Sequence, residues 1–241
     1  MESKIQADKV LKYKPKDTII TYGDSKPILY ALGLGFSTDP MKEEDFKFTY
    51  ELADGFTTFP TFSTAVDKFS TFEELDECPG FPKYNKNELL HGEQTTRIVN
   101  PLPISGSVLI KKKFEDIQDK GKGALLIASY SIYDAENPEK LYAFNTSRFY
   151  IRGLGGFGYK GTYPGLRFPK IAKTKKPDAV WEYKIREDQG ILYRLNGDRN
   201  PHNIDPKKAA EGNFKRPLLQ GHCYYGMTAR AVYEHFCKGD A

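Results

Sequence analysis

A short polar stretch near the C-terminus collects side chains that are able to move protons. It reads YRLNGDRNPHNIDP (193–206) and contains Asp198, Asn200, His202 and Asn203. A carboxylate beside an imidazole can hold a water molecule and exchange its proton near neutral pH, as general acid–base catalysis requires. Asp and Asn also form turns by accepting hydrogen bonds from nearby backbone amides. The residues alone therefore leave two interpretations open, a catalytic turn and a structural one.

Two segments share an unusual pattern of two leucines followed by a glycine two positions later. LLHG (89–92) contains His91, and LLQG (218–221) ends at Gly221. A glycine lets the backbone approach a ligand closely, and a backbone N–H at the start of a helix is a donor for a developing oxyanion. We therefore interpret these segments as equivalent positions in two structural units and as candidate ligand-binding positions.

Composition excludes several classes of function. The 36 Lys and Arg against 32 Asp and Glu leave a net charge of +4 without a basic stripe, so a nucleic-acid partner is not expected. The three cysteines have neither CxxC nor Cys/His spacing, so we predict no metal site and no disulfide framework. No apolar run approaches the ~20 residues of a membrane span. The first 16 residues resemble neither a secretory signal nor a transit peptide.

The elements that must position these residues follow from periodicity. SKPILYALGLG (25–35) has helical apolar spacing and ends at glycines. From Leu89 onward, four β-rich runs separated by turn residues predict an antiparallel meander. A Lys-, Gly- and Pro-rich stretch (160–178) reads as a linker, and AVWEYKI (179–185) after it predicts a strand.

The last predicted element is a mostly apolar helix over 216–236, five residues before the sequence ends at Ala241. A helix that is apolar on most faces must be covered by other structure. The second unit provides about one strand for this purpose. We therefore expect a protein partner to cover or complete this unit.

The motif YRLNGDRNPHNIDP, followed by RPLLQGHCYYGMTARAV, resembles the eukaryotic hydratase 2 family. These are the MaoC-like (R)-specific 2-enoyl-CoA hydratases found in peroxisomal multifunctional enzyme type 2. The similarity continues through YALGLG, FTYE, FPTF, LLHGEQ, NPLP, DKGKG, GLGGFG and PDAVWEY, in the order of the family, and covers nearly the whole chain.

The resemblance implies an α+β double hot-dog, in which two antiparallel sheets each wrap a helix. The N-terminal hot-dog, on the acyl-tail side, would span 1–159, the linker 160–178 and a partial C-terminal hot-dog 179–241. It also implies an activity, the addition of water to trans-2-enoyl-CoA to give a (3R)-hydroxyacyl-CoA. No metal or redox cofactor is implied, and the CoA thioester is the substrate or ligand.

The resemblance assigns roles to individual residues. The catalytic aspartate falls on Asp198 and its partner on Asn200, while the glycine whose N–H polarises the thioester carbonyl falls on Gly221. The CoA and acyl contacts of the first unit fall on three further residues, His91, Gly92 and Lys120.

The sequence departs from the family at the catalytic histidine. The family pattern is GDxNPxH, but here Asn203 occupies the last position and His202 precedes it. One residue is a rotation of about 100° in a helical turn, so His202 is not expected to point where the family histidine points. The family HG before the central helix is also QG here, with a new His222 after it. Since Asn cannot exchange a proton at neutral pH, we expect a loss on the order of 10²- to 10⁴-fold in rate.

The leading hypothesis is a degenerate hydratase 2 protein in which Asn203 replaces the general acid–base and catalysis is weak or lost. It would serve as a structural or acyl-CoA-binding component of a larger assembly. One alternative is an active enoyl-CoA hydratase of fatty-acid β-oxidation that works through His202 or His222 in a rearranged site. Another is an acyl-CoA or acyl-carrier binding module without turnover. The sequence shows no recognisable targeting signal, and the resemblance suggests that the protein is located in a peroxisome or mitochondrion.

Overall fold

The computed structural model of the chain describes residues 4–67, 71–165 and 168–240, with only the backbone for 71–73. Residues 166 and 167 of the predicted linker lie outside the described residues, as do the two ends of the predicted units. Within the described ranges, the strands are β1 Thr18–Tyr22, β2 Leu89–Ile98, β3 Gly106–Asp119, β4 Gly123–Asp134 and β5 Leu141–Arg152. The α-helices are α1 Ala7–Lys12, α2 Ser25–Gly33, α3 Phe46–Thr49, α4 Thr71–Glu77, α5 Gln189–Tyr193, α6 Pro206–Glu211 and α7 Gly221–Phe236. Short 3₁₀ turns cover Glu43–Asp45, Pro60–Thr64, Lys86–Glu88, Arg194–Asn196 and Pro201–Asn203.

The five strands form one antiparallel sheet in the order β1-β3-β4-β5-β2. The four predicted strands from Leu89 onward are confirmed, but the predicted meander is only partly right. β3, β4 and β5 follow one another as hairpins, whereas β2 pairs with β5 and not with β3. The reason lies in the link between β2 and β3, where Pro101 and Pro103 lack the N–H groups of a tight hairpin. Leu102 between them is buried, so the link crosses the end of the sheet.

The larger of two core clusters lies between the sheet and the predicted helix α2, whose existence is confirmed. Tyr30, Ala31 and Leu34 of this segment are fully buried, and the chain turns away at Gly35, whose φ is +86°. Aromatic rings fill the space between α2 and the sheet. The core residues with the bulkiest buried side chains include Tyr22, Tyr30, Phe36, Phe48, Phe59, Phe62, Ile110, Ile132 and Tyr193.

Helix α7 packs directly on α2. A side chain at Gly226 would collide with Tyr30 and Leu34, so glycine here allows the two helices to approach closely. Cys223 and Met227, one turn apart on the same face, join the common core. The predicted C-terminal helix is confirmed, but it begins at Gly221 instead of Arg216.

The strand predicted at 179–185 is wrong for the described part of the chain. No strand is formed there, and the described residues from 168 to 240 contain helices and turns only. A β-strand needs a neighbour to complete its hydrogen-bond ladder, and the described residues supply none beside this segment. The unit boundaries at 160 and 178 remain predictions.

Candidate active site

The polar stretch forms a tight sequence of side-chain caps. The Asp198 carboxylate accepts a hydrogen bond from the backbone N–H of Asn200 at 3.3 Å. The Asn200 side-chain oxygen accepts one from the backbone N–H of His202 at 3.1 Å, and Pro201 begins the 3₁₀ turn Pro201–Asn203. Asp205 then caps α6 by accepting from the backbone N–H of Lys207 at 2.8 Å. These caps explain locally why Asp and Asn are so frequent here.

His202 and Asn203 both turn to structural partners. The Nδ1 atom of His202 lies 2.9 Å from the Asn200 side-chain oxygen, which can only accept, so this nitrogen carries the proton. The Nε2 atom of His202 is buried and has no hydrogen-bond partner among the described residues. Asn203 donates from its amide to the backbone oxygen of Leu218 at 2.7 Å. Neither side chain hydrogen-bonds Asp198.

A cavity of about 250 Å³ opens where these elements meet the beginning of β2. Asp198 lines this cavity together with two histidines, His91 in LLHG and His222 directly after LLQG. The structure thus brings six of the eight predicted site residues to one cavity: His91, Asp198, Asn200, His202, Asn203 and Gly221. The remaining walls are mainly apolar or amide side chains, from Asn87, Leu89, Leu90, Phe149, Phe214, Leu218 and Leu219.

The other two predicted contacts, Gly92 and Lys120, do not line this cavity. Gly92 lies at an irregularity of β2, where the pairing with β5 shifts between His91 and Glu93. Lys120 is exposed in the turn between β3 and β4. The pairing register places this turn at the same end of the sheet as Leu89, two strand spacings or roughly 10 Å across.

Gly221 is the first residue of the 16-residue helix α7. A side chain at this position would meet no atom within 4 Å, so the glycine faces open space at the cavity. In this first turn the N–H groups of Cys223 and Tyr224 donate to the Gln220 carbonyl oxygen, and the helix dipole makes the N–H of Gly221 favourable for a partial negative charge. This end of α7 can therefore hold a carbonyl oxygen.

Two imidazoles, His91 in LLHG and His222 directly after LLQG, contact each other at an angle of 55° in the cavity wall. The ring centroids of His91 and His222 are 4.5 Å apart, and His91 lies 4.9 Å from the Phe149 ring. Nε2 of His222 faces the Gln94 side-chain oxygen at 3.3 Å, and Nε2 of His91 faces the Glu93 backbone oxygen at 3.0 Å. Because both oxygens are acceptors, each Nε2 carries a proton in the neutral ring.

Burial sets the charge of these groups. It lowers the pKa of His91 to about 4 and the pKa of His222 well below its usual value, the latter also because His91 lies close by. Both rings are therefore neutral at pH 7. Burial raises the pKa of Asp198, and the hydrogen bond from the Asn200 backbone opposes this shift. The cavity combines a carboxyl group that holds its proton more strongly than usual with two neutral imidazoles.

The sequence did not identify Phe149 and Gln94 as parts of this site. Phe149 lies on β5 directly opposite His91, and Gln94 lies opposite Ser147, whose hydroxyl donates to the Gln94 side chain at 2.6 Å. These contacts depend on the pairing of β2 with β5, which hydrophobic periodicity does not determine. The available signals were the pair of matching LLxG segments and the motif LLHGEQ, whose last residue is Gln94.

Comparison with known proteins identifies the family. The family model for the MFE-2 hydratase 2 N-terminal domain matches residues 20–153, and the MaoC-like domain matches residues 170–240. The probable enoyl-CoA hydratase 2 of Dictyostelium discoideum is 34% identical over 237 residues, which cover 98% of this chain and 78% of that protein. The chain belongs to the hydratase 2 family. The resemblance seen in the sequence is thereby confirmed.

Other members of the hydratase 2 family agree with this assignment. The peroxisomal enoyl-CoA hydratase 2 of Arabidopsis thaliana is 35% identical, with 99% of this chain and 80% of the plant protein covered. The mouse peroxisomal multifunctional enzyme type 2 is 36% identical over 91% of this chain, which corresponds to 29% of that longer enzyme.

A solved structure supports the same fold. The crystal structure of a MaoC-like dehydratase from Phytophthora capsici superposes with a TM-score of 0.84 at 33% identity, covering 98% of this chain and 79% of that one. The predicted α+β hot-dog architecture is confirmed by this match. Among the described residues, no helix is long and apolar enough to cross a membrane, and no three potential ligands are grouped to hold a metal ion.

Proposed function

We propose that this hydratase 2 protein binds acyl-CoA thioesters but hydrates enoyl-CoA poorly, and that it acts as a component of a larger assembly. The cavity supplies the binding groups: Gly221 at the start of α7 for the thioester carbonyl and apolar walls for the acyl chain. His91, Gly92 and Lys120 at the same end of the sheet contribute the CoA side, as the family relationship suggests. The chemistry uses no metal or redox cofactor.

One observation carries the proposal of weak catalysis. Hydration needs a group that removes a proton from water while another delivers a proton to the α-carbon. The family position for this group holds Asn203, whose amide donates to the Leu218 backbone instead of facing Asp198. An amide holds water but exchanges no proton at neutral pH, so the barrier should rise by roughly 3–5 kcal/mol.

The proposal is tested by moving the histidine back into register. Hydration of crotonyl-CoA and a longer trans-2-enoyl-CoA is followed by the loss of enoyl-thioester absorbance. We expect a slow wild-type rate and an increase on the order of 10²-fold in Asn203→His. Asn203→Gln, which keeps an amide, is the matched control and should stay slow. A wild-type kcat in the ordinary enzyme range of about 1–10³ s⁻¹ would overturn the proposal.

A second function is favoured by the imidazole of His202. Its Nε2 atom is buried, unprotonated in the neutral ring and without a partner in the described structure, and the residue lines the cavity with Asp198. An active (3R)-specific hydratase with a rearranged site would use this nitrogen as the base. In that case both His202→Gln and Asp198→Ala abolish a fast wild-type rate, whereas the leading proposal expects little rate to lose.

Acyl-CoA binding is tested separately from turnover. Calorimetric titration with a saturated acyl-CoA should show saturable binding that Lys120→Glu weakens, because a carboxylate there repels the CoA phosphates. Lys173→Glu, an equal charge reversal in the exposed linker, is the control. Binding that is unaffected by Lys120→Glu would argue against a CoA contact at this turn.

The assembly and the compartment are further parts of the proposal. Several apolar side chains remain exposed on α7 and beside it, among them Val180, Val232 and Phe236, and a protein partner would cover this face of the C-terminal hot-dog. Relatives from mouse, Arabidopsis and Neurospora crassa are named as peroxisomal enzymes, so we place this protein in the peroxisome, with the mitochondrion as the alternative. Fluorescence imaging of the tagged protein against markers of both organelles distinguishes them.

A further inference from the structure

The glycine-rich run GLGGFG (153–158) follows β5 and has no part in the site described above. Its two large side chains, Leu154 and Phe157, pack against the second core cluster, which fixes the path of the run. Gly155 lies directly against the turn between β3 and β4, because a side chain there would collide with the Gly121 carbonyl oxygen. Glycine at this position therefore allows the run to approach the turn closely.

A single carboxylate joins the run to this turn. Asp119, the last residue of β3, is 8% exposed, and its backbone N–H donates to the Tyr159 carbonyl oxygen at 2.7 Å. Its side-chain oxygens accept from three backbone N–H groups, those of Gly158 at 2.6 Å, Gly121 at 2.7 Å and Gly156 at 3.1 Å. These hydrogen bonds, that from Gly158 first, lower the pKa of Asp119 to about 2. The group is therefore a carboxylate at neutral pH and acts only as an acceptor.

The turn that Asp119 holds carries Lys120. Two backbone hydrogen bonds fix the rest of the turn: the N–H of Gly153 donates to the Lys122 carbonyl oxygen and that of Lys120 to the Gly123 carbonyl oxygen, both at 2.9 Å. The side chain of Lys120 is exposed and, among the described residues, forms no hydrogen bond or ion pair. Its ammonium group is therefore available to a ligand, while the backbone beneath it is held from both sides.

A fixed turn matters for binding because a glycine-rich turn loses much conformational entropy when it is ordered. Gly121 and Gly123 lie on either side of Lys122 and give an unsupported turn a wide choice of backbone conformations. A ligand that has to order such a turn binds more weakly, whereas a turn that is ordered in the free protein avoids this loss. The hydrogen bonds of Asp119 supply this order before a ligand arrives.

We propose that Asp119 is a positioning residue for CoA recognition. By clamping the GLGGFG run to the turn between β3 and β4, it holds Lys120 in place for a phosphate group of the CoA nucleotide. Asp119 does not touch the ligand and acts through Lys120. This proposal rests on the CoA contact at Lys120 stated under the proposed function, and it adds the residue that organises this contact.

Two ligands and a double-mutant cycle distinguish positioning from a general structural role. A saturated acyl-CoA and the matching acyl-pantetheine thioester, which lacks the nucleotide phosphates, are titrated calorimetrically into the wild type, Asp119→Ala, Lys120→Ala and the double variant. We expect each single change to weaken acyl-CoA binding on the order of fivefold and to leave binding of the pantetheine thioester unchanged. The double variant should bind acyl-CoA no more weakly than Lys120→Ala, because Asp119 acts through that side chain.

Two further variants complete the experiment. Asp134 also accepts from backbone N–H groups of a turn, among them that of Glu136 at 2.9 Å, but it lies at the other end of β4. Asp134→Ala is therefore the matched control and should leave the affinity for acyl-CoA unchanged. Asp119→Asn keeps one acceptor oxygen, should lose less affinity than Asp119→Ala, and carries the same comparison if thermal unfolding shows that the alanine variant has lost its fold.

Three results would overturn the positioning role: undiminished acyl-CoA affinity in Asp119→Ala, equal losses for the two ligands, or losses that add in the double variant. If Lys120→Ala weakens acyl-CoA binding and Asp119→Ala does not, the positioning role is refuted while the CoA contact at Lys120 stands. If Lys120→Ala has no effect, the proposed CoA contact at this turn is refuted together with the positioning role.

Discussion

The two units of the chain differ in how far their apolar side chains are buried. In the first unit the three inner strands of the sheet are paired on both sides, and the facing aromatic side chains are almost completely buried. In the second unit the described residues form no sheet, and apolar side chains of α7 and of 179–185 face solvent. The first unit therefore carries its own core, whereas the second unit shares the core of the first.

The contacts between the units combine a shared apolar core with hydrogen bonds and ion pairs. Tyr193, Cys223 and Met227 enter the common core, and Arg230 joins α7 to α2 through the Leu34 backbone oxygen at 3.2 Å. The cavity with Asp198 lies along this junction. Stability should therefore depend mainly on the first unit and on the junction, and less on the exposed side chains of α7.

The largest effect is expected from a core aromatic residue of the first unit. Phe62 is 0% exposed and its ring lies 5.4 Å from Tyr22 and 5.7 Å from Tyr30. Phe62→Ala should lower the free energy of unfolding by about 3–5 kcal/mol, since it removes buried surface and leaves a cavity. Phe236→Ala on the outer face of α7 is the matched control and should cost less than about 0.5 kcal/mol. Urea unfolding measures both, and equal losses would contradict the contrast between the units.

The sequence predicted much of the first unit because its signals are local. The four strands from Leu89 and the helix at 25–35 follow from alternation, helical spacing and turn residues. The position of β2 beside β5 was not predictable, because the register depends on contacts that are distant in the sequence. The strand expected at 179–185 was wrong for a related reason, since alternation does not supply a neighbouring strand.

The candidate site was predicted in part. The motif around Asp198 and the two LLxG segments located most of the cavity residues. Resemblance to a family predicts which residues share a site, whereas local sequence patterns do not. The contact of His91 with His222 was not foreseen, since it requires the tertiary packing of a strand against the start of α7. The direction of Asn203 likewise depends on its bond to Leu218, fifteen positions along the chain.

A second prediction concerns the junction itself. Arg230 is buried, its guanidinium lies 4.4 Å from the centre of the Phe36 ring, and it donates to Glu234 at 2.8 Å. Arg230→Ala should cost about 3 kcal/mol, because buried Asp45 loses a nearby cation and the Leu34 carbonyl loses a donor. Arg230→Lys should recover part of this loss, since it keeps the charge but not the planar fork.

The measurement for the junction is hydrogen exchange combined with urea unfolding. In Arg230→Ala, amides of α7 should exchange faster, while the central strands β3, β4 and β5 keep their protection. Uniformly faster exchange throughout the sheet would show that the two units unfold as one and would contradict the comparison.

A third prediction uses the two neighbouring histidines, His91 and His222, as a pH probe of the same junction. Because burial lowers the pKa of His91 to about 4, the folded protein favours the neutral ring. The stability from this preference is fully present above the unfolded pKa of ~6.5 and is lost as the pH falls through the folded value. We expect a loss on the order of 2 kcal/mol between pH 6.5 and 4, after allowance for partial exposure.

The variant His91→Phe should flatten this part of the stability profile, because a phenylalanine ring can keep the contacts with Phe149 and His222 but does not titrate. His235→Phe, on the exposed last turn of α7, is the control and should leave the profile unchanged. Chemical unfolding at half-unit pH intervals measures the slopes. A profile of His91→Phe as steep as that of the wild type would show that His91 does not contribute to the pH dependence.

The smallest effect tests whether Asp198 is kept for function at the expense of stability. Burial raises its pKa, so the protonated carboxyl is favoured in the folded state, and stability is lost as the pH rises through the folded pKa. Asp198→Asn removes the ionisable group and should raise the free energy of unfolding at pH 7 by about 1 kcal/mol or less. The gain should vanish below the ordinary Asp pKa of ~3.9, where both proteins are uncharged at this position. Asp205→Asn makes the same chemical change at the cap of α6, where Asn caps as well as Asp, and should be neutral. A loss of stability in Asp198→Asn at pH 7 would instead make Asp198 a structural turn residue, like its neighbours Asn200 and Asp205.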